Sequence, residues 1–379
     1  MNISTKLPNV GTTIFTVMSQ LAQKHNAINL SQGFPDFDCS PELVNLVNEF
    51  MKKGFNQYSP MSGVPFLREQ IVQKTEKIHR AVYHPDSEIT ITAGGSEALF
   101  SAIASVVHAG DEVIIFEPAY DLYRPTVELF GGIPKAVQLI APDFSINWKK
   151  VEQLISEKTK LILLNNPNNP ATSLLSTEDF EELNRLTKGT DILIISDEVY
   201  EHIVFDGARH LSICRFKELK ERSFLIASFG KLYHSTGWKI GYCLAPEKLT
   251  KEFRKVHQFN VFCVNTPIQY ALAEFLKREE EYLQLSEFFQ KKRDFLIEGL
   301  SQTPFRILKP KGTYFLLADY SDWSEKDDLE FSKWLTKTHK VATIPVSAFY
   351  EQSPNQKLVR FCFAKKEETI EKAIQSLMK

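Results

Sequence analysis

The stretch Ile192-Leu193-Ile194-Ile195-Ser196-Asp197-Glu198-Val199-Tyr200 decides the fold. Its four aliphatic residues, three of them β-branched, are too few for a buried helix and suit a strand covered on both faces. Polar and ionisable residues follow directly. The same pattern recurs in Ile89–Thr92, Val113–Phe116, Leu161–Leu164 and Phe224–Ala227. Between the first two of these, the segment 96–110 places Leu99, Ile103, Val106 and Val107 on one helical face, with Gly110 as its C-cap. Phe180, Leu183 and Leu186 mark another helix before Ile192. Strand and helix alternating in this way predict an α/β fold, a mostly parallel central sheet with helices on both faces.

From about residue 267 the pattern changes. One long helical stretch, broken near Glu279–Glu281, leads to strands at Phe305–Leu308 and Thr313–Ala318. A charged helix over 327–340, strands near Val341–Ile344 and Leu358–Phe363, and a last helix complete a smaller α+β domain. The expected division is a large domain over 41–280, with 1–40 and 281–379 forming a discontinuous small domain. The 379 residues fit two domains. With 45 basic against 47 acidic side chains, the net charge of -2 offers no footprint for nucleic acid. No apolar run approaches the ~18 residues of a membrane span, and the first residues lack an apolar signal core. Cys39, Cys214, Cys243, Cys263 and Cys362 are odd in number and never in a CxxC pair, which disfavours a disulfide framework or a zinc site. A cytoplasmic protein with no metal is expected.

Ligands of open parallel sheets bind beyond the carboxyl ends of the strands, and five such ends here carry polar groups. Gly94-Gly95-Ser96-Glu97 opens a helix whose free N–H groups form an anion cup, although a capping serine explains Ser96 equally well. The spacing is neither GxGxxG nor a P-loop. Asp197 should be buried and need a cation, whether a salt-bridge partner or a ligand. Tyr120 is either core or a stacking ring, and Asn165 and Asn169 either shape a Pro-rich turn or bind. Lys231 ends the strand Phe224–Ala227 inside Ser228-Phe229-Gly230-Lys231, where desolvation would depress its pKa and free a nucleophilic amine. Lys239 follows eight residues later. Arg360 lies between Val359 and Phe361 in a strand with no polar face, and so needs an anion: a bound carboxylate or an internal Asp or Glu.

A phosphate cup, a Schiff-base lysine, a buried carboxylate, a stacking ring and a carboxylate-clamping arginine suit pyridoxal 5'-phosphate and an amino acid. The carrying motifs are Asn29–Asp36, Gln57–Gly63, Asn165–Pro170, Ser196–Tyr200, Ser228–Gly241 and Arg360–Phe363. Over nearly its whole length the chain resembles class I/II aminotransferases of the pyridoxal-phosphate fold type I. Within that family it is most similar to the bacterial methionine aminotransferases and the kynurenine–glutamine transaminase group. The resemblance implies that Lys231 takes the cofactor aldehyde and shuttles the proton, that Asp197 pairs with the ring nitrogen, and that Asn169 and Tyr200 contact the ring oxygen. It implies Tyr120 stacked on the ring, and Gly95, Ser96, Glu97, Ser228 and Lys239 around the phosphate with Tyr58 from a neighbouring subunit of a homodimer. Arg360, Asn169 and the Gly33 backbone would hold the substrate carboxylate. Lys239 stands where aspartate-type relatives carry arginine, and Ala171-Thr172 departs from the usual small-Gly ending after the Asn-Pro.

Phe15, Tyr58, Tyr120, Phe262 and Phe349 are candidates to line a roomy apolar pocket, and no second arginine suggests itself for a dicarboxylate. The expected reaction is ping-pong transfer from methionine, aromatic or glutamine-like donors to a 2-oxo acid. Two rivals remain open at this point. One is a lyase performing β-elimination on cysteine conjugates, marked by pyruvate and ammonia released without an acceptor. The other is a non-catalytic regulatory module that binds the cofactor, which would need an appended DNA-binding segment.

Overall fold

The computed structural model describes residues 3–379. Its central sheet has seven strands, in the spatial order Ile89–Thr92, Gly241–Leu244, Ser223–Ser228, Leu193–Asp197, Thr159–Asn165, Glu112–Glu117 and Ile133–Gln138. All five runs read from the sequence are strands in it. Gly241–Leu244 runs antiparallel to both neighbours, and every other pairing is parallel. The aliphatic cores of the central strands are fully buried, as expected for a sheet covered on both faces. One face packs on the helix Gly94–Val106 with Leu99, Ile103 and Val106, and on Phe253 of the helix Glu247–Asn260. The other carries Phe180 and Leu183 of the helix Thr177–Thr187.

The remaining strands lie in two further sheets. Ile344–Pro345, Leu358–Cys362, Phe315–Asp319 and Arg306–Leu308 form an antiparallel sheet in that order. Ile28–Asn29 pairs in parallel with Val341–Ala342, and the helix Ile14–Lys24 lies against Asp328–Thr338. The helix Pro41–Lys52 packs instead on Thr266–Phe275. Among the described residues no helix is long and apolar enough to cross a membrane.

Two local expectations need correction. The helix after Gly94 ends at Val106 with an extended Val107 as its cap, and Gly110 serves a later turn at φ +90°. The expected strand Val341–Ile344 is two short strands in different sheets, with the chain changing partners at Thr343, whose hydroxyl bonds Ser332. The stretch beyond residue 267 breaks as expected, into Thr266–Phe275, Glu280–Leu283 and Leu285–Leu300.

The antiparallel strand brings Gly241 to the same sheet edge as Thr92 and Ser228, with which it is in register. A Cβ on Gly241 would lie 2.7 Å from the Ala227 carbonyl oxygen and 2.9 Å from both Gly94 C and Gly95 N. These are backbone atoms, so no rotamer change relieves the contact. Overpacking of this kind costs about 1–3 kcal/mol. Gly241→Ala should therefore lower the unfolding free energy by about that amount in urea titrations. Gly237→Ala, whose added Cβ meets nothing within 4 Å, should leave it nearly unchanged.

Candidate active site

The carboxyl ends of the sheet open into a cavity of about 270 Å³. Its walls carry Gly94, Gly95 and Ser96 from the helix start, Tyr120, Asn165 and Asn169, Asp197 and Tyr200, Ser228 and Lys231, and Lys239. Gly33 and Phe15 come from the amino-terminal segment, and Phe315 and Arg360 from the antiparallel sheet. Segments more than 300 residues apart in sequence thus meet at one point.

Asp197 ends its strand almost fully buried, and no cation lies within 4 Å of it among the described residues. The Tyr123 hydroxyl donates to Oδ2 at 2.6 Å, and the Val199 amide to Oδ1 at 3.3 Å. Burial pushes the carboxyl up to about 6, against these bonds and the pull of Lys231. Lys231 lies in the short helix Phe229–Leu232 directly after its strand. Its Nζ donates to the Tyr314 hydroxyl at 2.7 Å and the Gly33 carbonyl at 3.2 Å, over the rings of Tyr200 and Tyr314. Burial lowers its pKa to about 8. About a tenth of the amine is then neutral at pH 7, far more than for an exposed lysine.

Arg360 is fully buried. Its guanidinium stacks 3.8 Å above Phe315, with Phe349 at 5.2 Å and Phe15 at 5.4 Å. Nη1 donates to Asn169 Oδ1 at 2.6 Å and Nη2 to the Ser31 carbonyl at 3.1 Å, while Nε has no partner among the described residues. Burial lowers its pKa to about 10. The internal carboxylate partner left open by the sequence is not found within 4 Å among the described residues.

At the other end of the cavity, Lys239 Nζ is 3.4 Å from Ser96 Oγ at the start of the helix Gly94–Val106. Lys239 itself sits in the left-handed region at φ +55°. A Cβ on Gly95 would meet Val199 at 3.1 Å, so the glycine lets the sheet close against the helix start. Tyr120 is half-buried and edge-on to Tyr123 at 5.7 Å.

Some expected residues lie elsewhere. The Glu97 side chain turns away from the cavity, accepting from Ala93 N and Ser101 Oγ and meeting His257 Nδ1 at 3.0 Å. It braces the start of the helix. Phe262 and Tyr58 do not line the cavity of their own chain. They pack edge-on at 5.4 Å on the surface, 42% and 83% exposed. Phe349 stands behind Phe15 at 5.9 Å and reaches the cavity through Arg360. The sequence reading also passed over Tyr123, Tyr314 and Phe315. Tyr123 stood three residues beyond Tyr120, a spacing that returns to the same side of a helical turn.

A model of the family "Aminotransferase class I and II" matches residues 25–377. The chain belongs to the class I and II aminotransferases. It is 50% identical over 373 residues to the methionine aminotransferase of Escherichia coli, covering 98% of this chain and 97% of that protein. The human kynurenine–oxoglutarate transaminase 1 is 34% identical, covering 95% and 94%. A solved Escherichia coli structure, described as having a methionine aminotransferase function, superposes with a TM-score of 0.98 at 49% identity, over 100% of this chain and 99% of that one. The enzyme has the pyridoxal-phosphate fold type I, transfers amino groups between amino acids and 2-oxo acids, and uses pyridoxal 5'-phosphate as cofactor.

The cavity fits that cofactor on its own terms. A buried carboxylate without a cation suits a ring nitrogen that is to stay protonated. A lysine beside a helix start suits a phosphate, and a low-pKa amine between them suits an aldehyde.

The raised carboxyl has a consequence for the cofactor-free protein. Between about pH 4 and 6 the folded state holds on Asp197 a proton that the unfolded chain has released. The associated stability is therefore complete below about 4 and lost as pH rises through about 6. A rise from 3.8 to about 6 corresponds to roughly 3 kcal/mol. Cofactor-free Asp197→Asn should thus gain stability relative to the unsubstituted protein across this window, read by urea titration at each pH. A difference that stays flat from pH 4 to 6 would show that Asp197 does not titrate this way.

Proposed function

We propose that the enzyme takes its amino group from methionine, aromatic or glutamine-like amino acids in preference to dicarboxylic ones. The observation carrying this reading is Arg360, among the described residues the one arginine lining the cavity, held among Phe15, Phe315 and Phe349 with no carboxylate within 4 Å. A single buried guanidinium serves the α-carboxylate every amino acid has. The aromatic wall then meets an apolar side chain, and a second carboxylate would be buried without a partner. The names of the relatives, methionine aminotransferase and kynurenine–oxoglutarate transaminase, support the same class.

When bound, pyridoxal 5'-phosphate supplies an aldehyde that condenses with amines and a cationic ring that draws electrons from the substrate Cα. Asp197, held by Tyr123, would keep the ring nitrogen protonated. Asn169 and Tyr200 would serve the ring oxygen, Tyr120 would cover the ring, and Gly95, Ser96, Ser228 and Lys239 would hold the phosphate. Arg360, Asn169 and Gly33 fix the substrate carboxylate, which turns the Cα–H bond toward Lys231. Lys231 Nζ, about a tenth neutral at pH 7, takes the Cα proton. An amino acid enters and a 2-oxo acid leaves in the first half-reaction, and a second 2-oxo acid reverses the path.

The enzyme in this reading is a cytoplasmic homodimer. Its large domain spans 41–280, and 1–40 with 281–379 form the small one. The five cysteines, all unpaired, agree with a reducing compartment. The exposed pair Tyr58 and Phe262, with Phe259 three residues before Phe262 in sequence and 87% exposed, supplies an apolar surface for a second copy, through which Tyr58 reaches the other subunit's phosphate.

In a panel of amino donors, methionine and aromatic amino acids should give higher kcat/KM than aspartate; aspartate as the best donor overturns this reading. Lys231→Ala should lose roughly 10²–10⁴-fold in kcat. Neither Tyr58→Ala nor Lys231→Ala homodimers should match the unsubstituted enzyme, whereas mixed dimers should recover activity, because one of their sites has both residues. No recovery in a verified heterodimer rules out the shared site.

A further inference from the structure

We propose that Tyr314 is a positioning residue that fixes the lone pair of the Lys231 amine, acting together with the Gly33 carbonyl. The inference rests on the proposed role of Lys231 as the base, and deepens it.

Tyr314 is 1% exposed at the entrance to the strand Phe315–Asp319. Its hydroxyl lies 2.5 Å from the Gly33 carbonyl oxygen and 2.7 Å from Lys231 Nζ. Lys231 Nζ is itself 3.2 Å from the same carbonyl. The three groups form a closed triangle. The hydrogen inventory then leaves one arrangement. A carbonyl oxygen only accepts, so the tyrosine hydrogen goes to Gly33 and its oxygen is left to accept from the amine. The carbonyl accepts from the amine as well. A neutral amine has two hydrogens, and both are taken, one by Tyr314 and one by Gly33. Its lone pair must point away from both, toward the open side where the cavity lies. The free amine described here is the form that can remove a proton.

The ring of Tyr314 is held in turn. It stands edge-on to Tyr200 at 5.1 Å and to Phe315 at 4.9 Å, and Phe315 carries the Arg360 guanidinium. One phenol therefore ties together the segment bearing Gly33, the strand entering the antiparallel sheet, and the lysine of the central sheet. Tyr200 stands against the same ring, near enough for its hydroxyl to act on that of Tyr314, but Lys231 Nζ itself bonds to Tyr314 and Gly33, and Asn169 serves Arg360. The orienting contact from a side chain belongs to Tyr314.

Tyr314→Phe keeps the ring and removes the hydroxyl. Three readouts test the proposal: steady-state kinetics with methionine, thermal melting, and the pH dependence of Lys231 modification by an amine reagent in the cofactor-free protein. The expected result is a kcat lowered about tenfold with KM for methionine little changed. Melting should stay close to that of the unsubstituted protein. An ammonium gains more than a neutral amine from an accepting oxygen, so its loss should move the Lys231 titration down by about one pH unit. An unchanged kcat overturns the proposal, as does a raised KM at constant kcat. A lowered kcat with an unmoved lysine titration also overturns it, because the residue then acts elsewhere. A Lys231→Ala enzyme that still turns over normally would instead sink the role of Lys231 itself.

Discussion

Desolvation of charge is the constraint on which the rest of the site depends. Asp197 and Arg360 are buried and Lys231 is half-buried with its amine held inside the site, and no opposite charge lies within 4 Å of any of them among the described residues. An isolated buried charge is costly, and each group answers by shifting toward its neutral form. The protein tolerates this because partial dipoles stand in for counter-ions: Tyr123 for Asp197, Tyr314 and Gly33 for Lys231, Asn169 and Ser31 for Arg360. Ligands that bring a cationic nitrogen and a carboxylate supply what these dipoles only approximate.

The sheet topology explains why three such groups can converge. Asp197 ends one strand and Lys231 follows three residues after the end of the adjacent parallel strand, so both are delivered to the same edge of the sheet. Arg360 comes from a different sheet and is presented by a strand buried along its whole length. Gly33 stands between the two, tied to the central sheet through Lys231 and to the antiparallel sheet through Tyr314. Any relative movement of the two sheets is felt at that glycine.

The central part of this arrangement was legible because fully buried parallel strands advertise themselves as short aliphatic runs, and their loops carry the chemistry. Other elements carry weaker signals. Ile133–Gln138 is an edge strand with a proline and a lysine, largely half-exposed, and lacks the aliphatic run. Gly241–Leu244 begins with a glycine chosen for close approach to Gly94 and Gly95. Its reversed direction depends on what it packs between. The roles of Tyr123 and Tyr314 follow from distances across 74 and 83 residues, which no local pattern encodes. Glu97 sits in the expected motif yet faces His257, because a side chain at that turn of the helix can fold back on its own amino terminus. Phe262 lies outside the cavity of its own chain for a related reason: an aromatic residue in sequence does not say whether it faces inward or outward.

Lys239 shows what the cavity asks of the backbone. A residue with a Cβ in the left-handed region costs roughly 1 kcal/mol relative to glycine, and Lys239 occupies it at φ +55°. Relaxing that strain with glycine would remove the cation beside Ser96. A β-branched residue would aggravate the strain without restoring the charge. At this position the sequence that folds best and the sequence that binds an anion best are different sequences, and the chain carries the second.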